Sequence, residues 1–310
     1  MSSAERTHRN AFAATPLDRC GEYRADAAWL AAQRAAPTAR FLGCDAAGHA
    51  PARDGRLCWQ PPTTALRDAP ANFLGQLQGV PVWALRAPVE HATVSDAQWL
   101  GLRAAATVLD ATDAGIFAYA RGLANWQQGA RYCNYCGGAL HLVAGGQRAE
   151  CSACGRLHFP RTDAAIIVIV EQGDACLLGR QAAWRAHQYS TLAGFVETAE
   201  TLADAVRREV REETGVRILD CDFHSSQPWP FPASLMLGFT AVAAGRAIRL
   251  ADGELEDARW FTAHELRAGL ADGSLRLPTP ASIAWRLIEH WLRTRAGVEL
   301  GELPGADAGA

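Results

Sequence analysis

The chain has 310 residues, of which 49% are apolar and 20% charged, with a formal net charge of −3. That is enough for two domains with a sizeable core, and the near-balanced charge excludes any strong global attraction to nucleic acid or an anionic membrane. All 30 basic residues are arginine, which follows the alanine-rich composition but also suits phosphate, because a guanidinium fork matches two oxygens at once.

Residues 1–20 carry charge and no apolar core, so they do not read as a secretory signal. No apolar run is long enough to span a bilayer, and residues 301–310 hold no anchor or retrieval motif. A cytoplasmic address is the expectation. Nine cysteines, an odd count with no export signal, argue against a disulfide framework.

Residues 1–128 read as an N-terminal α/β domain. FLGC at 41–44 and PVWALRA at 81–87 read as short strands, and 95–128 as two helices with Ser95 as the first N-cap. Residues 129–161 are Gly- and Cys-rich. Cys133 and Cys136 form one C-x-x-C, Cys151 and Cys154 a second, with 14 residues between the pairs. Two such knuckles, with Gly137, Gly138 and Gly155 fitting their turns, supply the four sulfurs of a closed tetrahedral Zn²⁺ site, structural rather than catalytic. The competing reading is a pair of redox dithiols. His141 and His158 lie nearby as ordinary histidines. A zinc ribbon can also bind nucleic acid. Here Arg131, Arg148, Arg156 and Arg161 come with little aromatic interleaving, so a folding staple is the expected role.

Residues 162–295 carry the sharpest signals. Strands are expected at 163–170, 175–181 and 233–244, with 189–195 leading into a helix, a strand turning into a helix at 258–270, and a terminal amphipathic helix at 279–295. Residues 296–310 read as a flexible tail. The helix at 200–214 poses a problem. At roughly 100° per residue, Glu209 and Glu213 point within about 40° of each other, on the side of Leu202, where an apolar face is expected. Glu212 stands beside them, and like charges at this spacing cost stability. Two readings fit. The acids hold hard divalent cations, which take carboxylate oxygens, or they form a solvated face paired with Arg207, Arg208, Arg211 and Arg217. At 226–236, Pro228, Pro230 and Pro232 alternate, which predicts a stiff extended loop. Trp229 and Phe231 could stack on a flat base, with Gln227 and Ser234 offering hydrogen bonds, or could simply pack.

The helix and its flanks resemble the Nudix box of the Nudix hydrolases: Gly194, Glu200, Arg208, Glu209, Val210, Glu212, Glu213, Gly215 and Val216 occupy every fixed position. The stretch SQPWPFPAS at 226–234 is similar to the motif of the NADH pyrophosphatase family, which also carries a four-cysteine ribbon and a variable N-terminal domain in this order. The resemblance is close over 129–292 and architectural before that. It implies an α/β (α+β) fold: a Nudix α/β/α sandwich with a mixed sheet, preceded by a zinc ribbon and an N-terminal α/β domain. It implies that two or three Mg²⁺ or Mn²⁺ ions are held by Glu209, Glu212, Glu213 and Glu254, and that Glu200 pairs with Arg208 to brace the box between Gly194 and Gly215.

The substrate residues it implies are Phe159, Ala193, Phe195, the run Gln227, Pro228, Trp229, Pro230, Phe231, Pro232, Ala233 and Ser234, and Ala284. Phe159 stands where the family commonly has Tyr, so one hydroxyl contact is missing. The activity implied is hydrolysis of NADH, and less readily NAD⁺, to the nicotinamide mononucleotide and AMP, together with removal of NAD caps from RNA 5′ ends, by a homodimer with no membrane partner. The alternatives are a Nudix hydrolase of other dinucleotides or nucleotide sugars, and a non-catalytic NAD-sensing regulator.

Overall fold

The apolar run expected at 163–170 is the central strand Asp163–Gln172 of a six-stranded sheet. The structure, a computed structural model, describes residues 1–13, 15–250 and 253–306. These fall into two units. One comprises Met1–Ala13, Asp163–Pro228 and the described residues from Ser234 onward; the other comprises residues 15–162 together with Trp229–Ala233.

In the first unit the central strand is buried from Ala165 to Val170, as a strand covered on both faces must be. It pairs in parallel with Ser234–Ala243, from Asp163 opposite Ser234 to Glu171 opposite Val242. It turns at Gly173 to pair antiparallel with Ala175–Arg180, and it takes the short strand Leu192–Phe195 antiparallel on its first half. Ile218–Trp229 and Asp257–Thr262 complete the sheet at its edges. Side chains alternate between the faces, as the strand period demands. Ile167 and Ile169 join Leu266, Trp285, Leu287 and Ile288 from the helices Ala263–Asp272 and Ile283–Ala296. Ile166, Val168 and Val170 join Ala205, Val206 and Val210 from the helix Leu202–Thr214. The result is an α/β/α sandwich around a mixed sheet.

Several expectations need correction here. The box helix starts at Leu202, not at 200, because Thr201 caps it by accepting from the Asp204 amide. Leu202 is itself exposed, so the apolar face is set by Ala205, Val206 and Val210. Residues 296–306 are not a flexible tail. Leu300 and Ala306 are buried in the core beside Trp291 and Leu292, with Leu303 against it; 307–310 lie outside the described residues. The Pro-rich stretch is mostly strand: Ile218–Trp229 runs through Gln227 and Pro228 on a sheet edge, where the missing proline N–H breaks no necessary ladder bond. Met1–Ala13 also departs from the expected 1–128 grouping. Its helix Ser3–His8 lies with this unit, Arg6 donates to the His224 carbonyl, and Asn10 donates to Ser225 Oγ and the Ser226 carbonyl.

In the second unit, Leu17–Asp18, Ala71–Leu77, Val80–Leu85 and Arg40–Leu42 form one sheet over a core of Phe41, Phe73 and Trp83. A smaller sheet contains Arg56–Leu57, Ala50–Arg53 and Gln98–Leu100. That last strand overturns Ser95 as a helix cap: residues 98–100 pair with Ala50–Ala52, and the helix starts only at Leu102, after Gly101. Asp110 caps the following helix, Ala111–Gly129. The ribbon strands Leu140–Val143, Arg148–Cys151 and Leu157–His158 form a third sheet. Among the described residues, no helix is long and apolar enough to cross a membrane.

Candidate active site

The strand Leu192–Phe195 and the helix Leu202–Thr214 meet at Gly194 and Glu209. A Cβ built on Gly194 would lie 1.9 Å from the Glu209 carboxyl carbon, so only glycine lets the carboxylate rest there. Gly215 ends the helix in the left-handed conformation, φ 70°, and its N–H caps Arg211, a geometry glycine adopts without strain.

Arg208 ties the site together. Its Nε donates to Glu200 Oε1 at 2.8 Å, and its two Nη atoms donate to Glu200 Oε2 at 2.8 Å, Glu209 Oε1 at 2.9 Å, Glu212 Oε2 at 3.0 Å and the Phe195 carbonyl at 2.9 Å. All five guanidinium donors are thereby used. Glu200 also accepts from the Glu197 amide. The bidentate pair with Arg208 holds the Glu200 carboxyl down at about 2, while the partnership with Glu200 raises Arg208. Glu209 moves the other way. Burial raises it, Arg208 opposes the rise, and the charges of Glu212 and Glu254 add to it. That influence places Glu254, on the bend before Asp257–Thr262, within the electrostatic reach of the box. Glu213 is almost fully buried at the foot of the same helix.

Carboxylates on one helix, one of them raised chiefly by burial, suit hard divalent cations in their chemistry, since such oxygens are the preferred ligands. Arg208 brings Glu209 and Glu212 together, but among the described residues the oxygens of Glu209, Glu212 and Glu213 do not converge as closely as the cysteine sulfurs do. The side chains expected to meet a nucleotide sit in different settings. Ala193 and Ala284 share the core cluster at the start of Ile283–Ala296. Phe195 projects a ring that is 60% exposed while its carbonyl is fixed by Arg208. Gln227, expected to offer hydrogen bonds to a base, is instead fully buried. It donates to the carbonyls of Ala11 and Ala281 and accepts from the Ile283 amide at 2.8 Å. Its role is to anchor the start of the terminal helix.

In the second unit the four thiols converge. The Sγ atoms of Cys133, Cys136, Cys151 and Cys154 all lie within 4.8 Å of one another. Cys133 and Cys154 are 3.8 Å apart, Cys136 and Cys151 3.5 Å. A tetrahedron with metal–sulfur bonds of about 2.3 Å has edges of about 3.8 Å, and disulfides require far shorter contacts, so the cluster fits one soft metal ion. The Cys154 amide is the largest influence bringing the Cys151 thiol down to about 6, against burial. Glycine amides close the knuckles: Gly137 donates to the Cys133 carbonyl and Gly155 to that of Cys151.

Trp229 and Phe231 lie with ring centroids 4.8 Å apart. Arg103, which the sequence did not single out, sits 4.3 Å from the Phe231 ring and 5.6 Å from that of Trp229. It arrives from the helix Leu102–Val108, so nothing local to the motif marks it. Phe159, Pro232 and Ala233 come together around a cavity of about 450 Å³ that Trp126 also lines.

The NUDIX domain family model matches residues 160–279, and the model described as "NADH pyrophosphatase-like rudimentary NUDIX domain" matches 18–126. The second match identifies a kinship of the N-terminal region that its sequence hid, because no box glutamates remain there. Among curated proteins, the "NAD-capped RNA hydrolase NudC" of Stutzerimonas stutzeri (strain A1501) is 42% identical over 232 residues, 75% of this chain and 81% of that protein. The protein of the same name from Mycobacterium bovis (strain BCG / Pasteur 1173P2) is 37% identical over 294 residues, 89% of this chain and 94% of that one. A solved NUDIX hydrolase from Nitrosomonas europaea covers 57% of this chain and 96% of its own at 21% identity, with a TM-score of 0.42.

Proposed function

The chain belongs to the NADH pyrophosphatase family of Nudix hydrolases, and on that premise we propose that it hydrolyses the pyrophosphate bond of NAD(H), free and as the 5′ cap of RNA. The observation that carries the reading is the unbroken box, with Glu209 seated on Gly194 and Arg208 gripping Glu200, Glu209 and Glu212 at once. A degenerate sensor would be expected to have lost one of these acids.

In this reading a divalent cation, Mg²⁺ or Mn²⁺, held by Glu209, Glu212 and Glu213 with Glu254 would neutralise the diphosphate and increase the acidity of the attacking water. The water oxygen bonds to one phosphorus, the bridging P–O bond breaks, and its electron pair leaves with the phosphate of the other mononucleotide. Arg208 and Glu200 keep the carboxylates in place. Trp229 and Phe231, braced by Arg103, offer ring faces to a base, and the exposed ring of Phe195 offers another. The four thiolates hold one structural Zn²⁺, and the working form is a homodimer.

The test is incubation with NADH and Mg²⁺ and separation of the products. The reduced mononucleotide plus AMP is the expected result. Free nicotinamide would point to a different bond, and faster turnover of nucleotide sugars would move the substrate class. The same assay on NAD-capped RNA is expected to release the nicotinamide mononucleotide and leave a 5′-monophosphate.

A further inference from the structure

The second unit holds a cavity of about 320 Å³ that the hydrolysis does not use. Three arginines line it: Arg86, just past the strand Val80–Leu85, Arg121 on the helix Ala111–Gly129, and Arg131 just after that helix. Among the described residues, none of the three has a carboxylate within ion-pair distance. One acid, Asp45, shares the lining, and its oxygens are engaged. Oδ1 accepts from the His49 amide at 2.8 Å, and Oδ2 meets His91 Nε2 at 2.9 Å. The lining is therefore positive in a chain whose net charge is −3.

The walls are held in place. A Cβ on Gly48 would fall 2.3 Å from the Arg121 guanidinium carbon, so the glycine lets that group seat against the turn, and Arg121 Nη2 donates to Asn125 Oδ1 at 3.2 Å. Asn72 and Gln127 exchange amide hydrogen bonds at 3.1 and 3.0 Å, and Gln127 also donates to the Gly146 carbonyl. Ala84, Pro88, Ala120 and Leu142 make the rest of the wall apolar. The charge of Arg86 is felt beyond the cavity: Arg34 is held below its ordinary value by burial first and by Arg86 next. An anion is what this lining lacks. We propose that the cavity binds the phosphate-monoester dianion of a small organic molecule, with the phosphate held by Arg86, Arg121 and Arg131 and the body of the molecule on the apolar wall. Guanidinium forks match phosphate oxygens two at a time, and three unpaired cations call for more than one negative charge. The volume stands at the lower end of ligand pockets, about 300–1,000 Å³, which suits a sugar phosphate and not a dinucleotide. Arginine does the neutralising here without a cation, because the rudimentary domain that contains most of this lining has no box glutamates. The proposal is independent of the reading of the chain as a hydrolase.

The experiment is titration calorimetry of the full chain, its zinc content verified and no Mg²⁺ added, with ribose 5-phosphate, ribose and inorganic phosphate as probes. Ribose 5-phosphate is expected to bind, inorganic phosphate to bind more weakly, and ribose not at all. Arg86→Ala and Arg121→Ala are each expected to weaken the sugar phosphate about 10-fold, the scale of one hydrogen bond to a charged group. Arg121→Lys, which keeps the charge, recovers part of that loss, and melting curves confirm that the variants are folded. Glu209→Gln, which alters the box, leaves the binding unchanged, and Arg86→Ala leaves NADH turnover unchanged. Parental affinity in both alanine variants overturns the proposal. So does loss of binding in Glu209→Gln, which would move the ligand to the box. Inorganic phosphate bound as tightly as ribose 5-phosphate overturns the assignment of an organic ligand. Binding as expected in a protein that does not cleave NADH would overturn the proposed activity and leave this site standing.

Discussion

Gly194 and Glu209 touch with no room between them for a methyl group, since a Cβ at 194 would fall 1.9 Å from the carboxyl carbon. The strand position is thus a gauge that sets where Glu209, the first glutamate of the box helix, stands. Gly194→Ala is expected to push Glu209 aside and lower kcat on NADH roughly 100-fold, the scale of an ångström misplacement at a reacting centre, with a small change in melting temperature. Steady-state kinetics beside a melting curve checks it. Undiminished kcat would show that the carboxylate can stand elsewhere.

Glu209→Gln separates the two readings of the acidic helix. Burial and the charges of Glu212 and Glu254 hold Glu209 above the ordinary carboxyl range, so its ionised form is unfavourable in the metal-free fold above that raised value, and acidification relieves the penalty. The amide removes this cost. The variant is expected to be at least as stable as the parent at pH 7 without metal, and to lose turnover by roughly 10³-fold. Chemical denaturation in a chelator and NADH turnover in Mg²⁺ give the two numbers. A destabilised variant that still turns over would favour the solvated-face reading.

Gln227 was grouped with the substrate by its motif and is engaged within the fold by its contacts. Gln227→Ala removes the acceptor of the Ile283 amide and the donor to the Ala281 carbonyl. It should cost about 3 kcal/mol of stability, because buried polar partners are left unpaired. Urea unfolding reads this directly. A raised KM with unchanged stability would return the residue to the substrate site.

His224 is buried against His290, whose ring centroid is 4.7 Å away, with Ser225 Oγ at 2.8 Å from Nδ1. Burial, then the His290, Arg6 and Arg293 charges, bring it down to about 3. The unfolded chain therefore binds this proton near pH 6.5 and the folded chain does not, so stability falls as pH drops from about 6.5 towards 3. His224→Gln should flatten that part of the profile. Unfolding free energies at pH 7, 5.5 and 4 check the slope, and an unchanged slope would count against the burial effect.

Cys136→Ser opens the thiol cluster. The expected outcome is loss of bound zinc and of ordered structure around 131–158, measured by metal content and proteolysis, because metal binding there is folding free energy. Retention of about one zinc per chain with normal protease resistance would mean that three sulfurs suffice.

What the sequence made legible was whatever short-range chemistry dictates. The box could be read because its glutamates and the arginine that holds them stand at fixed short spacing on one helix and its lead-in, and the ribbon because each knuckle is local. The strand at 163–172 announced itself by an unbroken β-branched run. What escaped was non-local. Residues 98–100 are strand only because Ala50–Ala52 pairs with them, and nothing near Ser95 says so. Leu300 looks like any tail residue until the core beside Leu292 receives it. Arg103 joins Trp229 and Phe231 from a distant helix. Gln227 has a side chain suited to a ligand, and only the fold reveals that the protein itself occupies it.

The central strand's parallel neighbour, Ser234–Ala243, arrives only after the box helix has been made. Parallel strands cannot be joined by a hairpin, so the segment carrying the box glutamates is itself part of the crossover that closes the sheet. Assembly of the box acids and zipping of the two innermost strands are therefore coupled through a long-range closure rather than through local turns. A chain caught before that closure has neither a finished sheet nor an assembled box.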